Sequence, residues 1–283
     1  MIMIKKLLGV LALSLVSTLA FAEGGVHLDH APDRITDLAS LQNGAKLFVN
    51  DCLNCHSAHS MRYNRLTDLG LTDAEIKKNL LFTGDKVGDL MTIAMTPEDG
   101  KKWFGSTPPD LSVIARAKST NFGPSGVDYV YTYLRSFYRD TSKKSGWNNV
   151  VFPNVAMPNV LWQMEGPRTY TSIETHEVAD AKGTEHWVRT TTNYDADGFQ
   201  TVKNEDLKGY EGESSQIGHF DSADPKTFAH FESNVADLSN FLGWMAEPSQ
   251  LLRKQIGVWV MLFLFLFLFV AVRMNAAYWK HVR

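Results

Sequence analysis

Two cysteines and a histidine share one short stretch, Asp51-Cys52-Leu53-Asn54-Cys55-His56. No other cysteine occurs in the 283-residue chain. The C-x-x-C-H spacing is that of covalent c-type haem attachment. Two thiols three residues apart can reach the two vinyl groups along one haem edge and form thioethers. The adjacent histidine is then directed at the iron from one face. Other chemistries for the pair fail on context. A thioredoxin-like C-x-x-C needs a βαβ pattern around it, and none precedes it. A disulfide between the two would close a very short, strained loop. A tetrahedral zinc site needs two more strong ligands. Cys52, Cys55 and His56 are therefore expected to hold one haem c, leaving no disulfide in the mature chain.

The iron's sixth ligand has to come from elsewhere in the chain. Ten methionines and eight further histidines are available. Met1, Met3, Met261 and Met274 lie in the two terminal apolar segments described below, and His59 is too close to His56 to reach the opposite face. Met157 stands between Pro153 and Pro158, which fix an extended loop able to hold a thioether rigidly. On spacing alone Met91, Met95 and Met164 remain alternatives, since a methionine commonly fills a core gap.

The elements that position this chemistry are partly readable. Leu38, Leu41, Ala45 and Phe48 recur at helical spacing just before the motif. Gly44 and Ala45 would let a second helix approach closely. A candidate for that helix starts at Asp224-Pro225, where Asp caps and Pro suits the first turn. Its apolar stripe runs through Phe228, Phe231, Val235, Leu238, Phe241, Leu242 and Met245, and is read as core. Residues 1–22 read as a cleaved export signal: Lys5 and Lys6, then a short apolar run, then Ala20-Phe21-Ala22. Ile256 to Val272 holds 17 uncharged residues and reads as a transmembrane helix, framed by Arg253 and Lys254 at one end and Arg273, Tyr278, Trp279 and Lys280 at the other. The order of signal and anchor puts residues 23–252 in the periplasm and the basic tail in the cytoplasm.

The chain is 44% hydrophobic and 21% charged, with a formal net charge of -3. That average hides an uneven distribution. Of the 28 Lys and Arg, two lie in the signal and five from Arg253 onward, leaving 21 against all 31 acids, so the exported domain carries −10. The near-neutral whole-chain charge argues against a nucleic-acid binder, and the acidic domain either attracts basic partners or serves solubility alone. Residues 165–214 hold eleven acids and five bases. This stretch reads as a polar insertion with one β-hairpin, solvated by default.

Several segments together resemble the cytochrome c1 family, the haem subunit of the cytochrome bc1 complex. They are Cys52 to Ser57 with Met61-Arg62-Tyr63; Pro108-Pro109-Asp110-Leu111-Ser112 with Arg116-Ala117; Asp128-Tyr129-Val130-Tyr131 leading to Ala156-Met157-Pro158; and Trp244-Met245-Ala246-Glu247-Pro248 before the anchor. Tyr278-Trp279-Lys280 is similar to the family's bacterial branch. The resemblance implies Cys52 and Cys55 as thioether residues, His56 as proximal and Met157 as distal ligand, Pro109 lining the haem crevice, and Arg116 near a propionate. Lys118 departs from the pattern, where many relatives carry a second arginine.

The implied fold is mainly α: a class I cytochrome c-like haem domain with long loops and a small polar/β insertion (165–224), plus one C-terminal transmembrane helix (253–283). The implied role is one-electron transfer through haem c, without a substrate-turnover site of its own. Implied partners are cytochrome b, the Rieske iron–sulfur protein and a soluble cytochrome c, in a dimeric complex of the bacterial inner membrane. A c-type subunit of a terminal haem–copper oxidase, or a free tethered shuttle, is the alternative.

Overall fold

The computed structural model describes residues 26–179 and 185–281. The export signal expected over residues 1–22 lies outside the described residues.

The expected first helix is present as α1 (Leu38–Leu47). Asp37 caps it, its carboxylate accepting from the amides of Ala39 and Ser40. From Phe48 to Cys52 the helix widens into one π turn, Leu53 N–H donating to Phe48 C=O at 2.9 Å. After the motif come the short strand β1 (Ala58–Arg62), helix α2 (Asp73–Asn79), strand β2 (Leu90–Met91), helix α3 (Pro97–Phe104) and a single turn, α4 (Ile114–Ala117). Strand β2 pairs antiparallel with β1. Helices α2 and α3 each start in a capping box, Thr72 with Glu75 and Thr96 with Asp99. Helix α5 (Gly126–Arg135) starts in a third, Ser125 with Asp128. Strands β3 (Phe137–Arg139) and β4 (Trp147–Asn149) form a small hairpin beyond it.

A one-turn helix, α6 (Trp162–Glu165), leads into the insertion. There the structure departs from the expected single hairpin. Strands β5 (Arg168–Ala179), β6 (Glu185–Tyr194), β7 (Gln200–Asp206) and β8 (Ser215–Ser222) form one antiparallel sheet in the order β7-β6-β5-β8. Register runs from Tyr170 opposite Tyr194 to Ala179 opposite Glu185, and from Arg168 opposite Ser222 to Thr175 opposite Ser215. The extra strands escape a hydrophobic reading because the sheet is held by few rings. Tyr138 of β3 lies 4.5 Å from Tyr170 and 4.7 Å from Tyr194, ring centre to ring centre, and Phe220 lies 4.6 Å from Tyr170. Strand β7 is exposed along its whole length.

The core forms where α7 (Pro225–Ala246) returns across α1. Asp224 caps α7 and Pro225 opens it, as expected from the sequence. Leu41, Ala45 and Phe48 bury against Phe231, Val235, Leu238 and Phe241. Phe48 and Phe241 lie 5.6 Å apart. At the crossing Gly44 is required, because a Cβ there would sit 2.3 Å from the Asp237 carbonyl oxygen and 2.6 Å from Phe241 Cβ. A strap before α1 is stitched to both α5 and α7: Ala31 N–H donates to Asp128, Arg34 N–H to Asn240, and the Arg34 guanidinium to Asp237.

Three residues later α8 (Gln250–Tyr278) begins. It extends the expected apolar segment at both ends, to about 44 Å at 1.5 Å per residue, more than enough for a hydrocarbon core. Its mean hydropathy reaches 2.6 and none of that stretch is buried within the chain. Arg253 forks onto Glu247 at the junction, at 2.5 and 3.0 Å.

Candidate functional site

The π turn delivers Cys52 at the end of the helix, and the next turn folds back tightly. Cys55 N–H and His56 N–H both donate to Cys52 C=O, at 3.1 and 2.9 Å. Cys52, Cys55 and His56 thus share one turn, with both thiols free. Burial pushes the Cys52 thiol up to about 12, with Asp51 and Cys55 adding to the effect. Burial raises the Cys55 thiol as well.

The segment 108–112 closes over this turn. Pro109 supplies its backbone carbonyl, which accepts from His56 Nδ1 at 2.7 Å. A carbonyl can only accept, so the proton is on Nδ1 and the lone pair of Nε2 faces away, available to a metal. Burial lowers the His56 pKa, against the raising effects of the Pro109 carbonyl and Asp110. That favours the neutral imidazole a metal needs. This donor set fits a covalently held haem.

Asp110 fastens the segment in place. Its carboxylate accepts from His59 N–H and His59 Nδ1, both at 2.8 Å, and from Ser112 N–H at 2.8 Å. Partial burial acts to raise its pKa, but the hydrogen bonds from Ser112 and His59 outweigh it and hold the carboxyl low. Ser112 Oγ accepts from Ser60 N–H, and Leu111 N–H donates to Ser57 C=O. His59, set aside as a ligand from sequence, is occupied as a tether. Arg116 is exposed on α4, where its charge helps lower the pKa of Glu247. Lys118 sits with Nζ 4.7 Å above the Tyr129 ring.

The four candidate methionines have different surroundings. Met91 is fully buried in β2, opposite Ala58. Met95 packs beside Gly100 of α3. The Met164 sulfur accepts from Asn234 Nδ2 at 3.9 Å. Met157 is half-buried against the core, in a loop flanked by prolines. That loop has anchors the sequence did not reveal. Asn149 Oδ1 accepts from Val151 and Phe152 N–H, and Asn148 Oδ1 from Asn154 N–H. Asn154 adopts a positive φ of 61°, which asparagine tolerates better than most residues. Past the loop, Asn159 donates to the buried Glu165, which pairs with Arg168. Arg168 in turn donates to the carbonyls of Arg135 and Phe137. Asparagines that bind backbone look like ordinary loop residues in a sequence, so no pattern flagged them.

A C-x-x-C-H turn on the leading helix of a two-helix crossing, a histidine whose second nitrogen is tied to backbone, and one long apolar helix among the described residues define a membrane-anchored c-type cytochrome. Comparison with known proteins specifies the kind. The family model described as the cytochrome C1 family matches residues 31–184 and 218–282. Cytochrome c1 of Allochromatium vinosum is 38% identical over 279 residues, covering 98% of this chain and 99% of that protein. A protein of Nitrosomonas europaea named ammonia monooxygenase gamma subunit is 38% identical over 286 residues, 99% of each chain. Cytochrome c1 of Rhodospirillum rubrum is 24% identical over 264 residues, 87% of this chain and 83% of that one. The chain belongs to the cytochrome c1 family. It transfers electrons through one covalent haem c in the bc1 complex, as a subunit of ubiquinol–cytochrome c reductase. The terminal-oxidase alternative is not favoured. Residues 185–217, unmatched by the family model, hold β6, β7 and the start of β8, within the polar insertion.

Proposed function

We propose that this chain receives electrons from the Rieske iron–sulfur protein and gives them to a soluble cytochrome c, beside cytochrome b in a dimeric bacterial complex. The haem, when bound, supplies a one-electron ferrous/ferric couple. Cys52 and Cys55 would hold it by thioethers, and His56 and Met157 would be its protein ligands. Pro109 sets the tautomer and ring plane of His56, which raises the imidazole's basicity as a ligand. With both residues bound to it, the group would keep no open site for O2, which favours plain electron transfer. Arg116 would reach a propionate from the exposed end of α4. The domain 23–252, at −10, faces the periplasm after cleavage of residues 1–22, and the basic tail from Arg273 to Arg283 stays in the cytoplasm.

The observation that carries this reading is the 2.7 Å contact from His56 Nδ1 to the Pro109 carbonyl, which orients the imidazole of an otherwise short motif. Met157→Ala tests the ligand set. The midpoint potential should fall sharply and the weak red-edge band of sulfur–iron ligation should vanish, while Met164→Ala keeps both. If Met157→Ala keeps both and Met164→Ala loses them, the distal assignment is wrong.

A further inference from the structure

Helix α5 carries aromatic rings along one face at intervals of four: Tyr129, Tyr133 and, just past its end, Phe137. The Tyr129 and Tyr133 rings stack with centroids 6.1 Å apart and planes within 7° of parallel. Phe137 meets Tyr133 edge-on at 5.2 Å. The ring of Tyr133 is therefore gripped on two sides, and its hydroxyl has little freedom. That hydroxyl donates to Met157 Sδ at 3.4 Å. Asn149 reinforces the pairing, because Nδ2 donates to the Tyr133 carbonyl at 2.8 Å while Oδ1 accepts from the amides that begin the Met157 loop. One side chain thus fixes the Tyr133 turn and the loop to each other. The Lys118 ammonium over Tyr129 closes the far end of the stack.

We propose that Tyr133 is a positioning residue for the axial ligand: its hydroxyl binds one lone pair of the Met157 sulfur and leaves the other for iron. The inference rests on Met157 being the distal ligand. A thioether sulfur has two lone pairs and is a weak acceptor. Occupying one of them selects which side of the sulfur faces the metal. It also draws electron density off the sulfur. A poorer donor stabilises ferric iron less than ferrous iron, so the hydroxyl raises the potential beyond what the thioether alone achieves. The contact ties the site to α5, which packs directly on α7.

The test is Tyr133→Phe in the full-length, haem-loaded protein, with Tyr129→Phe and Met157→Ala measured beside it. The phenylalanine variant keeps the stacked ring and removes only the hydroxyl, so folding and covalent haem content should be unchanged. The midpoint potential should shift downward, and the red-edge sulfur–iron band should remain but move, because the sulfur donates more strongly. Tyr129→Phe, which loses a hydroxyl from the same stack, should leave both unchanged. A Tyr133→Phe variant with the potential and band of the parent overturns the proposal, as does an equal shift in Tyr129→Phe. Survival of the band in Met157→Ala would instead overturn the ligand assignment beneath it.

Discussion

The crossing of α1 and α7 gives a quantitative test at Gly44. In Gly44→Ala the new methyl would lie 2.6 Å from Phe241 Cβ and 2.3 Å from the Asp237 carbonyl oxygen. An optimal carbon–carbon contact is about 3.5 Å, so the helices must part by roughly 1 Å. Neither obstacle is the end of a flexible side chain, so no rotamer change relieves the clash. Overpacking of this kind costs about 3 kcal/mol at the upper end of its usual range. Alanine recovers about 1 kcal/mol through its better helix propensity. The net loss is about 2 kcal/mol, or roughly 4–8 °C in melting temperature for a domain of this size. Gly243→Ala is the internal control. It lies in α7, and its methyl would meet only the tip of Val127, at 2.7 Å. A side-chain adjustment of about 1 kcal/mol there roughly cancels the propensity gain. Thermal melts of the detergent-solubilised holoprotein, followed by helical circular dichroism, should separate the two variants clearly. Equal melting temperatures for both would refute the close-approach reasoning.

Three further outcomes are expected. Replacing both Cys52 and Cys55 by serine should leave any bound haem extractable by acidified solvent, and covalent haem retained in that variant would sink the attachment assignment. Glu165→Ala should cost about 3–5 kcal/mol by stranding the buried Arg168, and should weaken the red-edge band because Asn159, two residues past Met157, loses its acceptor; a parental melt would count against the pair. Electron delivery to a basic soluble cytochrome should slow as ionic strength rises, given a domain charge of −10, and stopped-flow rates indifferent to salt would remove the electrostatic part of the reading.

The sequence disclosed the elements whose signals are side-chain patterns. The stripe from Phe228 to Met245, the Asp224-Pro225 start and the uncharged run from Ile256 to Val272 all correspond to α7 and α8. Gly44 was legible as a contact point because only close packing gives a mid-helix glycine a purpose. What stayed hidden is carried by backbone or by partners distant in the chain. The Pro109 carbonyl orients His56, and every residue has a carbonyl. The π turn at Phe48–Cys52 uses residues that suit an α-helix equally well. Tyr133 reads as one more ring on an amphipathic face until Met157, 24 residues on, is placed against its hydroxyl. The four-stranded sheet was underestimated because its strands are mostly polar, with tyrosines rather than aliphatic residues doing the packing.

The junction between α7 and α8 sets how far the domain can wander. Glu247, Pro248 and Ser249 alone join the two helices, and three residues span at most about 10 Å. The Arg253 fork on Glu247 braces even that short leash. Because the helix carrying the cysteines leans on α7 directly, the height of the site above the bilayer is a dimension of the frame. The length of the link therefore bounds how far the site can stand from the anchor.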